Sequence, residues 1–211
     1  MKLYFNPYAC SLAVLIAAQE AKLDLELIEV DILKDPHRLL DGSDFAPINA
    51  KNYVPALVAA NGELLTEVSV ILQYLADLRP EAHLAPTPGS WDNFRLQETL
   101  NFLSSELHKF YSPWLFHPET GAVAQDYARG KIASRYALIE QQLEGRDYLL
   151  GAFSVADAYL FVMVGWAAFA KTPLDAFPNI RAWYERMKAR PAVRDALRLH
   201  AGSTRKTAAA A

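Results

Sequence analysis

The first 80 residues carry the hydrophobic pattern of an α/β domain. Two strand-like runs, 2–6 and 25–32, flank a helical stretch, 11–23, whose apolar stripe comprises Leu12, Leu15, Ile16 and Leu23. A strand, a helix and a strand within 32 residues predict a βαβ unit, whose crossover makes the two strands parallel.

The remainder of this segment predicts a hairpin and a second helix. Asn61-Gly62 lies between two apolar runs, which is a strong hairpin signal. The stretch 67–80 is helical in pattern and is stopped by Pro80. The order β-α-β, loop, β-β-α predicts a thioredoxin-like domain over residues 1–80.

Beyond residue 80 the pattern is helical. Residues 81–90 contain Pro86, Pro88 and Gly89 and are predicted to be a linker. The predicted helices are 91–116, 121–144, 154–170, 178–189 and 191–199. Ser154 and Asp157 form a capping-box-like helix start. We therefore expect an all-helical domain over 91–200 and a flexible tail over 201–211.

Composition narrows the function classes. The net charge of -3 argues against a nucleic-acid binder, which usually presents a basic face. No apolar run reaches the length of a membrane span, and the start does not resemble a signal peptide. One cysteine cannot form an internal disulfide, so we expect a reducing, cytoplasmic environment.

Cys10 lies where the first strand turns into the first helix. The N–H groups and dipole of a helix start favour an anion, so a thiol placed there is shifted toward its reactive thiolate form. The alternative is a small buried hydrophobe, a common fate of cysteine. The positions three residues away are Pro7 and Ala13, so disulfide chemistry here needs an external thiol.

Two further positions could bind a peptide-like ligand. A cis Val54-Pro55 bond would turn the Val54 N–H and C=O outward for an added strand of ligand, although a trans proline at a strand start is commoner. Glu67 begins the second helix. It is either a carboxylate favoured by the helix dipole or, with the next N–H, a partner for a ligand carrying a carboxylate and an ammonium.

The helical half offers one polar face. Asn101, Ser105 and His108 have the spacing of neighbours on one helix, which is either part of a site or a solvated stripe. The histidines show no paired spacing for a metal, and no nucleotide-binding glycine motif is present, so we expect no metal and no tightly bound cofactor.

Together these segments resemble the cytosolic glutathione transferases, and most closely the bacterial beta class. The resemblance is carried by MKLYFNPYACSL, INAKNYVPAL, LLTEVSVILQYLAD, LNFLSSELHKFYSP, FSVADAYLF and RPAVRDAL, in family order. It implies a thioredoxin-like domain that binds glutathione as co-substrate, a helical domain that completes the electrophile pocket, and a homodimer.

The resemblance also implies the site residues. Cys10 lies beside the glutathione sulfur, with Ser11 and His108 as neighbouring donors to the thiolate. The positions implied for binding glutathione are Tyr53, Val54, Pro55, Glu67, Val68, Asn101 and Glu106. Those implied for the second-substrate pocket are Tyr8, Tyr111 and Trp166.

Three positions depart from the family pattern, and all three lie in the implied glutathione site. Val68 stands where Ser or Gly is usual, which leaves only backbone contact there. Tyr53 replaces a Gln, and Asp35 replaces a lysine that meets the glycine end of glutathione. The candidate substitutes for that lysine are Lys34, His37 and Arg38.

The primary prediction is a detoxifying transferase that adds the glutathione thiolate to small, largely apolar electrophiles, which the sequence does not identify. One alternative is a glutathione-dependent disulfide reductase with Cys10 as nucleophile. A third, non-catalytic reading is a carrier of apolar ligands on the same fold.

Overall fold

The structure is a computed structural model that describes residues 1–7 and 9–208, with side chains as far as residue 199. The chain divides into two compact units, the first formed by Met1–Ala82 with Pro191–Ala211 and the second by His83–Arg190. Residues 191–200, predicted to belong to the helical domain, therefore group with the first unit.

A five-stranded mixed sheet organises the first unit, in the order β3-β2-β1-β4-β5. The strands are β1 (Lys2–Phe5), β2 (Glu26–Asp31), β3 (Arg38–Leu39), β4 (Ala56–Val58) and β5 (Leu64–Thr66). The β1–β2 pair is parallel, as the βαβ pattern predicts, and β4–β5 is the predicted hairpin. Gly62 in its turn has a φ of 86°, which glycine adopts without steric cost. The two-residue β3 lies in the stretch predicted to be a loop.

The helices of this unit are α1 (Ser11–Glu20), α2 (Val68–Asp77) and α8 (Pro191–Ala208). Helix α1 is buried along most of its length because it packs against both α2 and α8. That packing explains why the last helix belongs here. Helix α8 also continues through most of the predicted tail, and residues 209–211 lie outside the described part of the chain.

The second unit is helical. Its helices are α3 (Trp91–Phe102), α4 (Lys109–Tyr111), α5 (Ala122–Gln142), α6 (Val155–Ala170) and α7 (Pro178–Ala189). A π-helical segment, Leu103–His108, joins α3 to α4, so the helix predicted over 91–116 changes its geometry midway and ends at Tyr111. The fold class, a thioredoxin-like α/β unit with an all-helical unit, is confirmed. Within the described residues, no helix combines the length and apolarity that a membrane crossing requires.

The predicted capping box at the start of α6 is confirmed, and it anchors the core of this unit. The fully buried Asp157 carboxylate accepts hydrogen bonds from the Leu149 N–H, the Ser154 N–H and the Trp183 indole, each at 3.0 Å, and from the Ser154 hydroxyl at 3.3 Å. Burial raises the pKa of Asp157 to about 6. One carboxylate thus ties the start of α6 to a loop and to α7.

Candidate functional site

Cys10 is the N-cap residue of α1 and is 7% exposed. Its thiol donates to the Val54 carbonyl oxygen at an Sγ–O distance of 3.6 Å. No described side chain caps this helix start, and the first turn contains no acidic residue. The partial positive charge of the helix start is therefore available to an anion near the thiol.

The Ser11 hydroxyl has a structural role. It is fully buried, accepts from the Asn6 N–H at 3.2 Å and donates to the Asn6 carbonyl at 3.1 Å. The Asn6 side chain in turn donates to the Val30 carbonyl at 2.9 Å. The predicted catalytic role of this hydroxyl is not supported, because it secures the turn between β1 and α1. The Ser11 backbone N–H remains a candidate donor.

The loop before β4 presents Val54 next to a cis Pro55, as the resemblance implies. Asn49, which is buried, holds this loop by donating to the Tyr53 carbonyl at 2.7 Å. The Tyr53 side chain is exposed and Val54 is half-buried. The loop therefore holds Val54 next to the thiol of Cys10.

Glu67 adopts a backbone conformation that is unusual for its residue type, with φ 70° and ψ 120°. Such conformations cost about 1–3 kcal/mol and concentrate at functional sites. Its exposed carboxylate lies 2.6 Å from the ammonium of Lys51, which also donates to the Thr66 hydroxyl at 3.0 Å. Helix α2 begins at Val68, again with no cap from a described side chain. A carboxylate and a helix start thus adjoin, as recognition of a zwitterion requires.

The structure distinguishes the three candidates near position 35 for a cation that takes the place of the family's lysine. Arg38 pairs with Asp44 and donates to the Gly42 carbonyl, so its guanidinium serves its own loop. His37 is half-buried, and its Nδ1 is enclosed without a hydrogen-bond partner among the described residues. Lys34 is exposed. Tyr8, predicted for the second-substrate pocket, lies outside the described residues.

In the second unit, His108 ends the π-helical segment inside a group of aromatic rings. Its Nδ1 lies 2.7 Å from the hydroxyl oxygen of Tyr159 on α6. The Trp166 ring lies 5.2 Å from the His108 ring and 5.2 Å from that of Phe116, centroid to centroid. We call His108, Tyr159, Trp166 and Phe116 the His108 cluster. A half-buried imidazole held among apolar rings suits contact with an apolar molecule.

Tyr111 is fully buried, and its hydroxyl lies 2.7 Å from that of Tyr136 and 3.0 Å from that of Thr172. Burial raises the pKa of Tyr111 to about 12. Its ring touches that of Trp166, with the centroids 5.6 Å apart. The prediction that Tyr111 borders a pocket is not supported, since the side chain is part of the core and its hydroxyl is bonded within it.

Glu106 and Asn101 differ in what surrounds them. Glu106 is half-buried, and one carboxylate oxygen accepts from Arg135 on α5 at 2.5 and 3.2 Å. Asn101 is exposed, and its backbone carbonyl oxygen accepts a hydrogen bond from the Ser105 hydroxyl at 2.9 Å. A π-helix has more residues per turn than an α-helix. His108 therefore does not share the predicted face with Asn101 and Ser105, and it faces the aromatic rings instead.

Comparison with known proteins decides the family. A glutathione S-transferase N-terminal domain model matches residues 9–78, and a C-terminal domain model of the same family matches residues 102–191. Glutathione S-transferase GstA of Escherichia coli O157:H7 is 38% identical over 198 residues, which cover 93% of this chain and 97% of GstA. The chain belongs to the glutathione S-transferase family.

Solved structures place this glutathione S-transferase among bacterial members. A sphingomonad glutathione S-transferase complexed with glutathione is 42% identical, with a TM-score of 0.90 over 95% of this chain and 99% of that one. A beta-class glutathione S-transferase from Sphingomonas chungbukensis is 38% identical, with a TM-score of 0.90 over 95% and 98%. The predicted likeness to the beta class is confirmed.

Sequence reasoning on this glutathione S-transferase missed Lys51, Arg135 and Tyr159 as partners of predicted site residues. Lys51 lies 16 positions from Glu67, and Arg135 lies 29 positions from Glu106. No local spacing signals such pairs. Tyr159 belongs to the apolar run of α6 and carries a core pattern only. The described residues contain no group of three or more histidine, cysteine, aspartate or glutamate side chains that could hold a metal ion.

Proposed function

We propose that this glutathione S-transferase binds glutathione on its first unit and adds the glutathione thiolate to small, largely apolar electrophiles. The observation that carries the proposal is the contact between the Cys10 thiol and the Val54 carbonyl, beside a cis Pro55 and a helix start that no described side chain caps. This arrangement offers a thiolate-stabilising group and a strand-like backbone edge together.

For the glutathione sulfur to react, its thiolate has to be positioned and its negative charge stabilised. The glutathione sulfur is proposed to lie beside Cys10, with the dipole of α1 and the Ser11 N–H stabilising its thiolate. The ligand backbone would pair with the Val54 N–H and C=O. That carbonyl already accepts from Cys10, and a carbonyl oxygen has a second lone pair for a ligand N–H.

The γ-glutamyl end is assigned to the start of α2. Glu67 would take the ligand ammonium, and the Val68 N–H would take the ligand carboxylate. The ligand ammonium would replace Lys51, whose exposed pair with Glu67 is of a kind worth only about 0–1 kcal/mol. A charge-assisted contact inside a bound complex exceeds that cost.

The second unit is proposed to serve the electrophile. Trp166 and Phe116 offer apolar ring surface, and the His108 imidazole can donate a hydrogen bond. Because the rings are apolar and half-buried, they favour substrates with aromatic or alkyl groups. We keep Glu106 and Asn101 as proposed polar neighbours.

A homodimer in the cytoplasm is proposed as the working state. Large aromatic side chains are exposed on α3 and α5, including Trp91 at 71%, Phe94 at 52% and Tyr127 at 62%. Exposed aromatic groups of this size are typical of surfaces that a partner covers. Sedimentation of the wild type against a Trp91→Glu, Phe94→Glu variant tests this, and a monomeric wild type would refute it.

The function is tested by binding and turnover measured separately. The chain should be retained on a glutathione resin, be eluted by free glutathione, and conjugate glutathione to a chloronitrobenzene. A panel that adds epoxide, disulfide and halide substrates would then define the electrophile. Retention without any turnover would favour the carrier reading. Failure to bind glutathione would contradict the proposal itself.

A further inference from the structure

We infer that Tyr159 is a positioning residue that holds His108 as the neutral tautomer protonated on Nε2. The Tyr159 hydroxyl lies 2.7 Å from Nδ1 of His108. Tyr159 is 1% exposed and lies on α6, whose start is fixed by the buried Asp157. The hydroxyl is therefore held in place by the core.

The packing also fixes the ring of His108. The Tyr159 and His108 rings stand at 89° with centroids 5.8 Å apart, and Trp166 lies against the imidazole at 5.2 Å. These contacts restrict rotation of the imidazole. A ring packed in this way presents Nδ1 to Tyr159.

The donor and acceptor properties of the two groups determine which nitrogen of His108 carries the hydrogen. A phenol O–H is a strong donor, whereas a neutral imidazole nitrogen without hydrogen is a good acceptor. Donation from Tyr159 to Nδ1 places the imidazole hydrogen on Nε2, since the hydrogen bond at one nitrogen sets the state of the other. His108 then offers an N–H donor while uncharged.

This assignment deepens the proposed function and rests on it for its catalytic meaning. A neutral Nε2–H can stabilise a developing anion on the electrophile, but with Nδ1 already accepting from Tyr159 the imidazole cannot accept a proton. His108 would thus act as a donor and never as the general base. The tautomer itself is a property of the second unit and can be measured without glutathione.

The experiment is nitrogen NMR of 15N-histidine-labelled full-length protein, at a pH where the imidazole is neutral. His108 is assigned by comparison with His108→Gln. The wild type should show the Nε2–H tautomer, and Tyr159→Phe should show a mixture of both. A wild type with the Nδ1–H tautomer, or a Tyr159→Phe variant that keeps pure Nε2–H, would overturn the inference.

Kinetics supply the second readout, with Tyr136→Phe as the matched control. That variant also removes a buried hydroxyl of the second unit, one that bonds to the Tyr111 hydroxyl and the Met163 carbonyl. Tyr159→Phe should lower kcat for conjugation about tenfold, the effect of one hydrogen bond of about 1.4 kcal/mol, with KM for glutathione unchanged. Equal losses in both variants would mean a structural effect and refute the positioning role. An inactive wild type with the expected tautomer would instead refute the proposed function alone.

Discussion

The proposed ligand-binding groups of the first unit are largely backbone atoms at helix starts, whereas those proposed in the second unit are side chains at an irregular helix. In the first unit they comprise Val54, the starts of α1 and α2, and one exposed carboxylate, Glu67. In the second unit His108 depends on Tyr159 and Trp166, and Glu106 depends on Arg135.

This difference explains which departures from the family pattern the chain can carry. Val68 in place of Ser or Gly keeps the N–H at the start of α2, so a contact made by backbone survives the change. In the second unit a changed side chain removes the contact itself. We therefore expect the first unit to tolerate substitution in its site and the second unit to depend on its buried supports.

Among the buried side chains that support the second unit, we expect Asp157 to contribute most. Asp157→Ala leaves the donors of Leu149, Ser154 and Trp183 without their acceptor, so we expect a loss of about 3–5 kcal/mol in unfolding free energy. Urea denaturation measures it. Asp126→Ala, which removes an exposed partner of Arg129, is the control and should change stability by less than about 0.5 kcal/mol. Equal effects would break the comparison.

The same carboxylate gives a pH signature. Burial raises the pKa of Asp157 to about 6, above its ordinary value of 3.8. A raised folded pKa contributes stability below pH 4 that is lost as the pH rises through 6, up to about 3 kcal/mol at 1.36 kcal/mol per unit. Asp157→Asn lacks this loss, so the stability difference between wild type and variant should shrink from pH 4 to pH 7. A stability difference that does not change with pH would show that the four hydrogen bonds to Asp157 cancel the effect of burial on its pKa.

In the first unit the largest effect on glutathione affinity should come from Glu67, the side chain proposed to bind the ligand ammonium. Glu67→Ala should weaken glutathione binding by about 1.5–3 kcal/mol, the worth of a charge-assisted hydrogen bond. Cysteinylglycine lacks the γ-glutamyl end, so its affinity should be the same for both proteins.

Calorimetry with both ligands provides the test of Glu67, and Glu63→Ala removes an exposed carboxylate of the same hairpin as a control. If Glu67→Ala leaves the glutathione affinity unchanged, Glu67 acts only at the start of α2 and does not bind the ligand. An equal loss for both ligands would point to a distorted site.

The smallest effect is expected at Lys51. Lys51→Met removes an ammonium that the ligand has to displace, so glutathione affinity should stay the same or rise by up to about fivefold, equivalent to about 1 kcal/mol. Competitive displacement of a fluorescent glutathione analogue measures this. A tenfold loss would show that Lys51 itself contacts the ligand.

Local patterns predicted the parts of the fold that local physics determines. The βαβ unit, the hairpin at Gly62 and the capping box of Ser154 and Asp157 all follow from spacing and turn chemistry. The π-helical segment, the two-residue β3 and the packing of α8 on α1 do not, because they depend on tertiary contacts.

The candidate site was predictable by position and less so by orientation. Cys10, Val54 and Glu67 lie at element boundaries that the pattern locates. Position along the chain predicts Ser11 as a donor and Tyr111 as a pocket residue, yet the hydroxyls of both are bonded within the core. Side-chain direction follows from packing with distant residues, which spacing along the chain does not encode.

The most direct test of the account is the pair of activities left in Cys10→Ala. If glutathione supplies the nucleophile and Cys10 only assists, the variant keeps measurable chloronitrobenzene conjugation and loses reduction of hydroxyethyl disulfide, because only reduction needs a covalent bond to Cys10. Glutathione binding by calorimetry is measured on the same sample. Intact binding with conjugation abolished would contradict the account and make Cys10 essential to the transfer.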